Sequence, residues 1–133
     1  MTIASPADLT DYLVRYPQEV AFGDEEPGLV LDRYHGAGFV LFNDGLRLDR
    51  DRLLAHVRPA RRNAVALTVD VHQALVYENR VAARYTLTAT MRRGPVIATE
   101  IVAFGRLAPD GRLARLDQVT RVLDHTLVAT AMQ

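Results

Sequence analysis

From Val65 onward the apolar side chains of this chain recur at every second residue, and before it they recur at every third or fourth. A period of 2 belongs to a strand with one buried face, and a period near 3.6 to a helix with one buried stripe. The order is therefore helices first and strands afterwards, an α+β arrangement rather than an alternating one. Val65, Leu67, Val69 and Val71 alternate with Ala66, Thr68, Asp70 and His72. After a turn near Glu78-Asn79, Val81, Ala83, Tyr85, Leu87 and Ala89 alternate with Arg84, Thr86, Thr88 and Thr90. Arg92-Arg93-Gly94-Pro95 reverses the chain into a strand from about Val96 to Leu107, and Pro109-Asp110-Gly111 turns it into a last strand reaching about Leu123. Long strands joined by tight hairpins are antiparallel neighbours; they coil, and their concave side needs a cover.

Only the first half can supply that cover. Ser5-Pro6-Ala7-Asp8 places a capping hydroxyl, a proline and an acid where a helix starts. Leu9, Tyr12, Leu13, Tyr16 and Val20 then form one stripe, and Pro17 makes the helix either end or bend and continue to about Phe22. Asp24 or Glu25 opens a second, shorter helix with Val30, Leu31 and Tyr34 inward. His35 to Gly38 reads as a loop, Phe39 to Phe42 as a short strand, and Asn43-Asp44-Gly45 as a turn. Asp49 caps a third helix carrying Leu53, Leu54 and Val57, which Pro59 is expected to end. One domain over residues 1–133, with a core from about 6 to 124, follows from the length.

Absences narrow the chemistry. There is no cysteine, so no disulfide and no thiolate nucleophile or metal ligand. All sixteen basic residues are arginine, which removes Schiff-base chemistry on lysine. Serine occurs once, at the helix cap, and no nucleophile elbow is present. Sixteen acids cancel the arginines, so no electrostatic pull toward nucleic acid or an anionic membrane is expected. No apolar run is long enough to span a bilayer and no secretory signal is visible, so a cytoplasmic protein is expected. His35, His72 and His125 match no metal spacing; a structural or exposed role is expected for each, with no metal and no cofactor. Arg58, Arg61 and Arg62, with Arg92-Arg93, read as a solvated face.

Several segments carry a family likeness: Arg15-Tyr16 followed by Gly23-Asp24, Val30 through His35, Asp44-Gly45 through Asp51 to His56, Val81 to Tyr85, and Asp110 to Leu113. In this order and spacing, over roughly Leu9 to Leu123, they resemble nuclear transport factor 2-like domains, the group of ketosteroid isomerases and SnoaL-like polyketide cyclases. The resemblance implies a cone-shaped, cystatin-like roll of three helices on a strongly curved antiparallel sheet. It implies a pocket for a small apolar molecule and a homodimer paired through the outer face of the sheet, for which apolar residues on both strand faces give physical support. Tyr16 falls where the isomerases polarise a carbonyl, and Tyr34 and His56 where further tyrosines support it. Phe42 or Asn43 stands where the base should be and Ala103 where a second acid should be, so the resemblance does not extend to steroid isomerisation. Leu116, Gln118 and Thr120 come out pocket-facing and Asp117 opposite.

The expected site is therefore Tyr16 donating to a carbonyl and His56 moving a proton, with Tyr34, Arg84, Gln118, Phe42 and Thr99 binding the substrate. Each has a plainer alternative. Tyr16 could be core, His56 a helix-rim histidine, and Arg84 a surface residue paired with Glu100. Isomerase- or cyclase-type acid–base chemistry and non-catalytic binding or dimerisation both remain open. Filling of the interior by Phe39, Phe42, Phe104 and Leu116 would favour the second.

Overall fold

The structure, a computed structural model, describes residues 1–123. Helix α1 (Pro6–Phe22) starts with a reciprocal cap: the Asp8 N–H donates to Ser5 Oγ at 3.2 Å and the Ser5 N–H to Asp8 Oδ2 at 3.1 Å. Pro17 does not stop it. A mid-helix proline costs about 3 kcal/mol, and burial of Leu9, Tyr12, Leu13 and Ala21 on either side offsets that. Helix α2 (Pro27–Tyr34) follows, beginning slightly later than the acids at 24 and 25 suggest.

The chain passes directly from α2 into β1 (His35–Asn43), so the expected loop at His35–Gly38 is strand. Pairing explains this. His35 stands opposite Leu113 of the last strand, and a register shift between His35 and Val40 absorbs the left-handed Gly38. Asn43-Asp44-Gly45 turns into a short strand that alternation does not reveal, β2 (Leu46–Leu48). Helix α3 (Arg50–Asn63) is capped by Asp49, whose side chain accepts from the Arg52 N–H, and continues through Pro59. The helix closes on ordinary backbone bonding, with the Ala64 N–H donating to the Ala60 carbonyl.

The four long strands β3 (Ala64–Tyr77), β4 (Arg80–Met91), β5 (Val96–Leu107) and β6 (Leu113–Val122) form the antiparallel meander read from the sequence. The full sheet is six-stranded, in the order β2-β1-β6-β5-β4-β3, curved and not closed. It is mixed rather than wholly antiparallel, because β1 joins β6 in parallel. The intervening helix and hairpins provide the long crossover that a parallel pair requires.

A bulge at His72 shifts the register of β3 and changes its phase. Val69 and Val71 face the helices before it, and Ala74 and Val76 do so after it. Bulges of this kind increase local twist, which helps the sheet wrap α1. The core lies between α1, α2 and the concave face, with Leu9, Val30, Leu31, Val57 and Leu113 almost inaccessible. Among the described residues no helix is long and apolar enough to cross a membrane.

Candidate functional site

Small residues make the hollow. Along one line of the concave face Ala83, Ala103 and Gln118 stand side by side on β4, β5 and β6, while Tyr85, Ile101 and Leu116 rise around them. Above them α1 presents Tyr12, Leu13, Tyr16 and Pro17, and α3 presents Leu53. The result is a cavity of about 170 Å³. Its wall is mostly hydrocarbon and aromatic ring, completed by Phe39, Leu41 and Leu87.

Five polar side chains reach this wall: Tyr12, His35, Tyr16, Tyr85 and Gln118. Tyr12 and His35 are satisfied by each other and by the backbone. His35 Nδ1 lies 2.8 Å from the Leu31 carbonyl oxygen, which can only accept, so Nδ1 carries the proton. Nε2 is then the acceptor, and the Tyr12 hydroxyl donates to it at 2.9 Å. Burial dominates both groups: it lowers the imidazole to about 4, against the opposing pull of the Leu31 bond, and pushes the Tyr12 hydroxyl up. The pair is a neutral, closed unit at physiological pH.

Tyr16 is different. Its ring stacks on Tyr12 at 5.5 Å and meets His35 edge-on at 4.8 Å. Tyr16 lines the cavity, and its hydroxyl makes no hydrogen bond among the described residues. Burial raises it above the ordinary phenol range, so it stays protonated and is a donor. Tyr85 is likewise held protonated by burial and makes no hydrogen bond among the described residues. Gln118 donates one amide N–H to Asn43 Oδ1 at 2.9 Å and keeps its remaining amide capacity. Among the described residues no aspartate, glutamate or arginine lines the cavity.

The structure brings only some of the expected residues together. Tyr16 and Gln118 share the cavity wall. Thr99 is half-buried on the same concave face, opposite Leu87. Tyr34 is buried beside Tyr12 and Tyr16, but its hydroxyl turns outward and donates to Glu19 at 2.7 Å. His56 sits exposed on α3 and is not part of the wall, because the inward stripe of α3 runs through Leu53 and Val57.

Two more expected residues occupy the convex face. Phe42 pairs in register with Asp117 and lies under the Arg115 guanidinium, 4.4 Å from its ring centre. Arg84 is on the solvated side, 3.7 Å from Glu100, which also accepts from Arg121. Asp117 takes Arg115 as its partner. Phe39 and Leu116 belong to the cavity wall, whereas Phe42 and Phe104 lie outside it and do not fill the interior.

Sequence reasoning misses His35 as a cavity residue. The helix-to-strand junction looks like a loop, which hides a side chain that the fold turns inward. One signal is present: a residue just past a helix end can return a side-chain bond to the carbonyl four back, here Leu31. His72 is exposed, with Nε2 2.7 Å from Thr86 Oγ1, and His125 lies outside the described residues.

No family model matches the chain, and no curated protein does. Solved structures do match. A candidate hydroxylase, AclR, from Streptomyces galilaeus superposes with a TM-score of 0.66 at 17% identity, over 97% of this chain and 99% of its own. A candidate SnoaL-like polyketide cyclase from Shewanella denitrificans gives 0.59 at 13%, over 89% and 91%. An NTF-2 like protein from Silicibacter pomeroyi gives 0.59 at 16%, over 88% and 94%. At these identities the likeness is one of fold.

Proposed function

We propose that this chain, which has the nuclear transport factor 2-like fold found also in SnoaL-like proteins, uses that fold to bind a small, largely apolar molecule whose carbonyl oxygen accepts from Tyr16. The observation that carries this reading is the imbalance of the cavity wall: among the described residues it offers free hydrogen-bond donors and no unengaged base. Removing a proton next to a carbonyl requires an unengaged acceptor beside the carbon, and works best when its pKa lies near the working pH. The His35 imidazole, lowered to about 4 with its acceptor nitrogen engaged by Tyr12, is a weak base. Binding without turnover is therefore favoured over isomerase- or cyclase-type chemistry. Catalysis remains the second reading because the titratable Tyr12–His35 pair borders the same space as Tyr16.

The first test is a titration with acetophenone. Tyr16→Phe removes a hydroxyl that makes no bond to the described protein, so folding stability should stay within about 0.5 kcal/mol. Affinity should fall about tenfold, the equivalent of about 1.4 kcal/mol for a donor facing the carbonyl. Equal affinity in the two proteins would remove Tyr16 from the proposal. Measurable conversion of a ketone, abolished by His35→Gln, would select the catalytic reading instead.

We also propose a homodimer paired through the convex face of the sheet. Phe104 and Val119 are each at least 60% exposed there, on adjacent strands. An apolar area of this kind is unfavourable in water unless a partner covers it. Sedimentation at tens of micromolar should show a dimer, and Phe104→Asp should yield a folded monomer. A monomeric parent protein would end this part of the proposal.

A further inference from the structure

The size and charge of the cavity define its occupant more closely than the fold does, given the binding reading proposed above. A cavity of about 150 Å³ lined by apolar side chains accepts one benzene, and typical drug-sized pockets run from about 300 Å³ upward. At about 170 Å³ this cavity belongs with the former. Tyr16, Phe39 and Tyr85 present ring surfaces to it, which suit a flat or ring-shaped guest.

Charge is excluded by the same wall. A carboxylate or ammonium guest would leave water and meet no opposite charge, and such transfer is strongly unfavourable. The Tyr16 hydroxyl is without a protein partner among the described residues, as is that of Tyr85, and the Gln118 amide keeps spare capacity. A guest with one acceptor oxygen on a ring of six carbons satisfies the first, and the amide can serve a second polar substituent.

Ala103 sets the depth of the space. It lies between Ala83 and Gln118 across the sheet, where any longer side chain would project toward α1. Of these two alanines, Ala103 itself lines the cavity. We infer that the site takes an uncharged, single-ring carbonyl compound, and that Ala103 limits its size.

The test is isothermal titration of the intact protein with four probes: cyclohexanone, benzaldehyde, benzoate and androstenedione. Cyclohexanone and benzaldehyde should bind, benzoate at least twentyfold more weakly than benzaldehyde, and the four-ring steroid not at all. Ala103→Leu should weaken benzaldehyde at least tenfold, and the milder Ala103→Val by a smaller factor in the same direction. The Val variant keeps the test decisive should the Leu variant fail to fold. Benzoate or androstenedione binding as tightly as benzaldehyde would overturn the inference. If the steroid binds and Tyr16→Phe weakens it, the size limit is wrong while the binding reading stands. If no probe binds the parent protein, both fall.

Discussion

Lowering the pH from 7 to 4 is expected to remove about 3 kcal/mol of folding stability through His35 alone. Its imidazole is buried among Tyr12, Tyr16 and Phe39, with both nitrogens engaged. Desolvation lowers it from 6.5 to about 4 in the folded chain, whereas the unfolded chain retains an ordinary histidine. Between those values the unfolded state binds more protons than the folded one, so stability rises with pH. The contribution is complete above about 6.5, is mostly lost as the pH falls to about 4, and the small remainder goes just below that. A separation of about two and a half units at about 1.4 kcal/mol per unit sets a ceiling of about 3.5 kcal/mol. Of this, about 3 kcal/mol is lost by pH 4, where the folded imidazole is half protonated.

Urea denaturation at pH 7, 5.5 and 4.5 should show the decline, and His35→Gln should flatten it over this window. The exposed carboxylates with lowered values, Asp44, Asp110 and Asp117, titrate mainly beneath this range and are separable from it. A parent protein equally stable at 7 and 4.5 would mean that the imidazole is accessible to water, and the closed Tyr12–His35 unit would have to be abandoned.

Gly105→Ala is expected to be the most damaging single methyl in the sheet. Gly105 lies on the concave face of β5, opposite Val81 and Leu116. An added Cβ would meet Leu116 Cδ2 at 2.6 Å and collide with the carbonyl oxygen of Arg115. The leucine could rotate, but the carbonyl belongs to the neighbouring strand and can move only with it. Overpacking of this kind costs about 3 kcal/mol when backbone must shift. Chemical denaturation would measure the loss; a variant within about 1 kcal/mol of the parent would show that β5 and β6 separate more easily than their packing suggests. Ala103 differs from its near neighbour. There the same face opens into the cavity, and an added group costs binding rather than folding.

Much of this architecture is legible in the residues alone. The serine–proline–aspartate start of α1, the asparagine–aspartate–glycine turn and the three hairpins all appear where residue chemistry puts them. These are local events, governed by a few adjacent dihedrals and side-chain caps. The inward position of Tyr16 also follows from its place on the α1 stripe, and alternation along β6 puts Leu116 and Gln118 on one face, which the family likeness turns inward. The change of phase in β3 is written in the chain as well, since the apolar positions move from Val71 to Ala74; simple alternation passes over it.

Which face curves inward, and what fills it, cannot be read locally. Alternation assigns Arg84, Phe42 and Asp117 to faces of their strands but does not say which face is concave. Analogy alone brings His56 to the site, and the packing of α3 through Leu53 and Val57 leaves it in water. The parallel pairing of β1 with β6 joins residues about 75 positions apart, and no neighbouring residue encodes it.

The order of elements, their turns and the sharing of faces were thus determined by the sequence itself, because helix and strand periods depend only on nearest neighbours. The closed Tyr12–His35 unit, the free Tyr16 hydroxyl and the uncharged hollow above Ala103 were decided by the tertiary structure. Their existence depends on how distant segments share volume and exclude water, a sum over the whole chain that no local pattern contains.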